Sequence, residues 1–333
     1  MHKIVAAPVS IEWHCRLPIY ASEKFLKSES RRFGWIGGID DQAGLVCVLP
    51  YTITEKPGLH MVRFRTATIP LMGEIGLQEE KTFLNAVVEY FRSAGADIII
   101  PSGNTAVFRT YPDGAEVAPY GTFINDLSES EGVLMGRIRK TYRQNIRKAV
   151  AAGVQIKCGV EYLETSYDLI ADTMSRSGSS FKSLSDFSAR VAAFGDYVKV
   201  FIAEHEGSVQ GCMVAPFSSH AGYNCYAGSK REPVLGAMHL LHWEAMRQFR
   251  AMGVQRFDFQ GVRMNPEQGS KQAGIFTYKQ GFGGNPVQGY MWKYSLRRVT
   301  SLAYRVAARL LMGGDIVDQE QRRLRGVVRT AEG

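Results

Sequence analysis

The chain has 333 residues, 45% of them apolar and 11% aromatic, which is enough to bury one large core or two of ordinary domain size and excludes a disordered chain. A formal charge of +8 and a pI near 9.2 predict attraction to polyanions such as tRNA, nucleotide diphosphates or an anionic membrane surface, without choosing among them. Five widely separated cysteines, Cys15, Cys47, Cys158, Cys212 and Cys225, form no CxxC and no zinc-type spacing with histidine, so they read as reduced core residues and no metal is expected.

From the N-terminus, "MHKIVAAPVSIEWHC" has too short an apolar stretch for a signal peptide, with Glu12 inside it. No later run approaches the roughly 20 apolar residues of a membrane span. A cytoplasmic protein is expected. The first patterned segment, "WIGGIDDQAGLVCVLPYT", reads as a hairpin turning at Asp40 to Gly44. "EYFRSAGADIIIPSG" (89–103) follows as the end of an amphipathic helix, a terminal Gly, a short strand and a Gly turn. Both features recur. "VKVFIAEHEGSVQGCMVAPF" is a second hairpin turning at Glu204 to Gly207, and "RQFRAMGVQRFDFQG" (247–261) repeats the helix, Gly and strand. Phe91/Phe249, Arg92/Arg250, Gly95/Gly253 and Gly103/Gly261 keep one constant offset of 158. A duplicated unit predicts two similar α/β domains with mixed sheets.

Between the copies lies "DLSESEGVLMGRIRKTYRQNIRKAVAAGV". Ser128 and Glu131 form a capping-box pattern and Gly153 a terminal cap, so one helix over 128–152 is expected. Leu134, Ile138, Tyr142, Ile146 and Val150 make its apolar stripe. Arg139, Arg143 and Arg147 form a comb on another face. Like charges at that spacing repel, which favours an anionic partner such as tRNA over a merely solvated face.

Later in the chain, His239 and His242 share a helical face, but a third ligand is missing and a metal site is set aside. "GFGG" (281–284) reads as a turn. The segment "SLRRVTSLAYRVAARLLMGG" is an amphipathic helix with Leu296, Val299, Leu302, Val306 and Leu310 on one side and Arg298, Arg305 and Arg309 on another. It is expected to pack on the second domain, the alternative being an anionic membrane beside a lipid-linked substrate. Residues 313–333 are expected to be a mobile basic tail.

"GTFINDLSESEGVLMGRIRKTYRQNIRKAVAAGVQI", "YNCYAGSKREPVLGAMHLLHWEAMRQFRAMGVQRFDFQGV" and "GIFTYKQGFGGNPVQGYMW" resemble the FemABX aminoacyl transferases and their acyltransferase relatives. "FTYKQGFGG" is the most specific element, similar to the family's aromatic-Lys pair before an aromatic-Gly turn. The resemblance implies an α/β fold of two tandem GNAT-like domains, placed here at 1–126 and 127–312, the second including the basic linking helix 128–152. It further implies an amide-forming acyltransferase, with aminoacyl-tRNA as donor and a nucleotide-sugar or lipid-linked, peptidoglycan-type envelope precursor as acceptor. No resident cofactor is expected. The alternatives are an acyl-CoA-dependent N-acyltransferase of amino sugars or polysaccharide precursors, and a non-catalytic RNA- or membrane-surface-binding protein.

An aminoacyl ester is already activated, so the enzyme mainly positions an amine, stabilises the oxyanion and accepts a proton. Lys279 is the expected catalytic ammonium, matching by resemblance the lysine given that role; a surface lysine is the bland alternative. Tyr278 is read as lining the channel or stacking on a base, or as a half-buried aromatic. Asp258, at a strand's C-terminal end, is the candidate base, with an ion pair to Arg256 or Arg263 as alternative. Tyr226, Arg263 and Arg176 are read as substrate-binding. "KREPVLGAMHLL" lacks the spacing of a coenzyme A pyrophosphate loop, although a helix starting near Gly236 offers an anion site.

Overall fold

The computed structural model describes residues 4–331 except 43, 102, 104 and 313, and in the last two helices omits the side chains of 303, 307, 310–312 and 325–331. The chain forms two compact units. Met1–Trp13, Tyr20–Gly121 and Gln288–Gly333 make the first, and His14–Ile19 with Thr122–Val287 the second.

The first unit begins with β1 (Ile4–Val9), α1 (Glu23–Glu29), β2 (Arg32–Asp40), β3 (Gly44–Lys56), β4 (Leu59–Phe64), β5 (Ile69–Pro70), α2 (Leu77–Ser93), β6 (Ile98–Ile99) and the start of β7 (Glu116–Asp126). The expected hairpin is β2 with β3, closed by the pair Asp40 and Gly44. Helix α2 buries Phe83, Leu84, Val87, Val88 and Phe91, a stripe of helical period against the sheet. Each fully buried Phe of this kind contributes on the order of 1.5–3 kcal/mol. The helix ends at Gly95 (φ +80°), and the crossover it makes lets β6 lie parallel to β4.

In the second unit come α3 (Glu131–Arg137), α4 (Lys140–Ala151), β8 (Gln155–Cys158), α5 (Leu163–Ser175), α6 (Leu184–Ala192), β9 (Val198–His205), β10 (Ser208–Pro216), β11 (Gly222–Tyr223), β12 (Tyr226–Ser229), α7 (Ala237–Ala251), β13 (Arg256–Asp258) and α8 (Lys271–Gln280). Here the expected hairpin is β9 with β10, turning through Glu206 and Gly207, both at positive φ. Phe249 is buried on α7 as Phe91 is on α2, Gly253 (φ +77°) repeats Gly95, and β13 runs parallel to β11. The duplication seen in the sequence is therefore a duplication of hairpin, helix and parallel strand. Strands β11 and β12 serve different partners: β11 pairs with β13, whereas β12 pairs with β10. The backbone leaves β13 just after Asn224, whose N–H donates to Asp258 O (2.9 Å).

The basic segment is two helices and not the single one expected over 128–152. Ser130 is the N-cap of α3, its Oγ accepting from Val133 N, while Ser128 bonds Asp126 instead. The chain turns extended at Ile138 and Arg139 before α4 starts. Leu134, Ile138 and Ile146 are buried and Tyr142 half-buried as the stripe predicts, but Val150 is exposed and Ala149 takes the inward position.

The chain closes with β14 (Asn285–Ser295), α9 (Arg298–Met312) and α10 (Ile316–Ala331). Residues 288–312, assigned from sequence to the second domain, belong to the first unit: Tyr294 and Ser295 pair with Ile99 and Ile98. Of the tail expected to be mobile, 316–331 is helical, with Val317 and Glu320 buried; 313, 332 and 333 lie outside the described residues. Lys293, 1% exposed, anchors this end through Asp318 (2.5 Å), Asp315 (3.3 Å) and Glu116 (3.7 Å).

Candidate functional site

The second unit brings Lys279 and Asp258 together. Helix α8 starts at Ser270, whose Oγ accepts from Ala273 N, and carries Lys279 in its last turn. The Lys279 ammonium donates to Gln260 O (2.6 Å) and Gly261 O (2.9 Å). An ammonium has three donors, so one remains for a ligand. Burial lowers its pKa to about 8, opposed by the nearby Asp258 charge.

Asp258 ends β13. Its Oδ1 accepts from Thr122 Oγ1 (2.5 Å) and Gln260 N (2.7 Å), leaving Oδ2 without a hydrogen-bond partner among the described residues. Burial raises its pKa, while the Thr122 and Gln260 hydrogen bonds and the Lys279 charge pull it down. Gln260 sits at φ +54°, a conformation that a non-glycine residue holds only when its surroundings enforce it. The Asp258 bond to its N–H and the Lys279 bond to its C=O do so. Thr122 and Gln260 thus belong to this hydrogen-bonded cluster, and the sequence did not single them out, because nothing in their local pattern marks them.

Tyr278 is packed, and its OH lies 3.3 Å from Met238 O and 3.2 Å from His242 Nδ1. Its ring contacts those of Tyr142, His239 and Phe282. This is the half-buried aromatic, in a cluster that also takes up His242, stacked on Phe259. Burial holds the pKa of both His239 and His242 down at about 4, so both rings are neutral aromatic packing partners at pH 7. Among the described residues no group of three or more His, Cys, Asp or Glu is placed to hold a metal ion.

The glycines of "FTYKQGFGG" have steric causes. A Cβ on Gly281 would lie 2.2 Å from the Tyr142 ring, and one on Gly283 (φ +72°) 2.4 Å from Arg137 O. The same stretch explains the broken helix, since Arg139 N donates to Gly281 O (2.8 Å). Arg139 lies over the Tyr142 ring. Arg143 is turned back, donating to Gly136 O (3.0 Å) and Ile138 O (2.5 Å), the carbonyls that the break leaves open. Arg139, just before α4, and Arg147 on it are both exposed, as the comb predicted. Arg143→Gln is therefore expected to cost about 1–2 kcal/mol of stability. Arg147→Gln should change stability by less than about 0.5 kcal/mol and lower only polyanion affinity, with a shallower salt dependence. Thermal unfolding and tRNA binding at two salt concentrations separate the two.

The remaining predicted contact residues lie in the same unit. Tyr226 packs on Phe181 and Phe187 with Lys182 over its ring. Arg176 is tied to Ser229 O (2.6 Å) and Asp172 (3.0 Å). Arg263 follows the Gln260–Gly261 turn two residues on. The start of α7 is closely covered: Gly236 (φ +89°) lies so near α4 that a Cβ would meet Asn145 O at 2.0 Å.

Residues 111–207 match the model of the FemAB family. Over 87% of this chain and 93% of the other, the fold is similar to the crystal structure of FemX, with a TM-score of 0.63 and 14% identity. The C-terminal domain (DUF2156) of a putative lysylphosphatidylglycerol synthetase from Agrobacterium fabrum is similar over 81% of this chain and 87% of its own, with a TM-score of 0.50 and 15% identity. No curated protein sequence matches. The resemblance read from the sequence is thus supported, and the fold is FemX-like, with a hairpin, helix and parallel strand repeated in its two units.

Proposed function

We infer that this chain is an amide-forming acyltransferase that moves an aminoacyl group to an amine of a cell-envelope precursor, with its reacting centre at Lys279 and Asp258. The observation that carries this reading is the Lys279 ammonium, fixed by two carbonyls with one donor open, beside a carboxylate whose Oδ2 is unengaged. The FemAB match and the FemX-like fold support the reaction class.

The chain's own residues divide the work. Lys279 offers its free N–H and positive charge to the oxygen that gains charge as the ester carbonyl is attacked and the donor leaves. Asp258 Oδ2 takes the proton that the amine must lose on becoming an amide nitrogen. Thr122 and the Gln260 N–H hold the other carboxylate oxygen, so its orientation is set before substrate arrives. For the donor, aminoacyl-tRNA is favoured over acyl-CoA. Asn145 O lies against the α7 start, placing negative dipole where a coenzyme A pyrophosphate would need donors. Exposed Arg147 and Lys148 on α4 add positive charge suited to an RNA backbone. The acceptor is proposed to be a peptidoglycan-type precursor.

The test is a mass-shift assay with charged tRNAs, acyl-CoAs and envelope-precursor amines. A product heavier by one amino-acid residue, formed only with charged tRNA, supports the reading; a product only with acyl-CoA replaces the donor. The pH profile checks the roles. Lys279 must be protonated, so kcat/KM should fall above about pH 8. Asp258 must be ionised, so the acid limb should lie above that of an ordinary carboxylate, because burial raises its pKa. Asp258→Asn should lower the rate and remove the acid limb; an unchanged profile would take the base role from Asp258.

A further inference from the structure

Helix α9 is inside out relative to its sequence. Its contacts in the first unit are made by its smaller and polar residues: Ser301 (1% exposed) donates to Asp97 O, Thr300 bonds Asp97 Oδ1, Ala308 is buried, and Tyr304 packs against Met61, Ile98 and Ile100. Of the expected apolar stripe, Leu296 precedes the helix and packs against the first unit's core, whereas its next members face outward. Val299 is 82% exposed, Leu302 62% and Val306 52%; Leu310, expected in the same stripe, lies outside the described side chains. Positions 299, 302 and 306 share one helical face. Three large apolar residues displayed together, while the same helix docks through Ser, Thr, Tyr and Ala, mark an interaction surface.

Its charge identifies the partner. Arg297, Arg298, Arg305 and Arg309 are all exposed around the stripe, and Arg298–Met312 contains no Asp or Glu. Arg305 is engaged by Glu116 (2.9 Å) and Arg297 by Asp97 (3.9 Å); Arg298 and Arg309 flank the apolar residues. A second copy of the chain fits poorly, since a two-fold contact would bring one cationic face onto another. A helix with an apolar face and an arginine rim matches the interface of an anionic bilayer, where the side chains enter the headgroup boundary and guanidinium groups meet phosphates. Beside the stripe lies a groove of about 470 Å³ lined by Leu302, Val306, Arg309 and Arg322 and also by two acids, Glu116 and Asp318, which Arg305 and Lys293 engage. No helix among the described residues is long and apolar enough to cross a membrane, and surface attachment needs none.

We propose that the outer face of α9, through Val299, Leu302 and Val306 with Arg298 and Arg309, docks this protein on the surface of an anionic membrane. Such docking does not depend on the transfer chemistry and stands or falls separately from it.

The test is sedimentation of the full chain with vesicles of phosphatidylcholine alone and of phosphatidylcholine with phosphatidylglycerol. Wild type should pellet with the anionic vesicles and at least tenfold less with the neutral ones. V299S/L302S/V306S, at exposed positions where folding is undisturbed, should lose at least tenfold in anionic-vesicle partitioning, and R298Q/R309Q should lose most of the preference for phosphatidylglycerol. Equal binding by the triple variant, or no wild-type binding to anionic vesicles, overturns the proposal. So does a wild-type dimer that the triple variant converts to monomer, which would assign the face to a second copy.

Discussion

Lys279→Ala should reduce kcat for transfer by about 10²–10³-fold, the loss that follows removal of one fixed donor aimed at developing charge. The fold should survive. The substitution leaves Gln260 O and Gly261 O without their ammonium donor, a cost of about 1–3 kcal/mol, and Gln260 at φ +54° is then free to relax. Lys279→Arg keeps charge, but a planar guanidinium cannot reproduce a compact ammonium between two carbonyls, so it should recover little of the rate. The measurement is single-turnover product formation beside circular dichroism. Full activity in a folded Lys279→Ala protein would remove the lysine from the chemistry and leave it as a clasp for the Gln260 turn.

For stability the largest effect is expected at Lys293. Its removal leaves Asp318, Asp315 and Glu116 facing one another without the buried cation between them. Breaking a buried charge cluster by deleting one partner costs about 3–5 kcal/mol, so Lys293→Ala should lower the unfolding free energy obtained from denaturant titration by that amount. An exposed pair such as Arg32 with Glu55 is worth about 1 kcal/mol or less, which makes Arg32→Ala the internal control. A Lys293→Ala loss below about 1 kcal/mol would show that α10 is held by Val317 and its apolar neighbours alone.

The two hairpins, the two helices ending in Gly95 and Gly253 and the short strands after them were legible because each is written in consecutive residues. Turn glycines, alternation and helical stripes act over a few residues, and the 158-residue offset makes each copy a check on the other. Lys279 and Asp258 were singled out from sequence, the first by resemblance and the second by its place at a strand end, and the structure sets both against the Gln260 turn.

What escaped local reading depends on partners far along the chain. The basic segment breaks at Ile138 because Arg139 N is claimed by Gly281 O, across 142 residues of sequence (281 − 139), and that break turns Arg143 from a comb tooth into a clasp. The outward stripe of α9 escaped for the same reason: Asp97 and the Met61–Ile98–Ile100 surface select its Ser301, Tyr304 and Ala308 face, which hydrophobic periodicity alone ranks second. The sequence by itself determined the two-unit α/β plan and its local elements, since propensity, capping and periodicity are short-range. Only the tertiary structure decided which face of α9 is covered, how the second unit assembles Lys279, Gln260, Asp258 and Thr122, and where residues 288–331 pack, because those choices are made by steric fit and hydrogen bonds between segments that no local pattern connects.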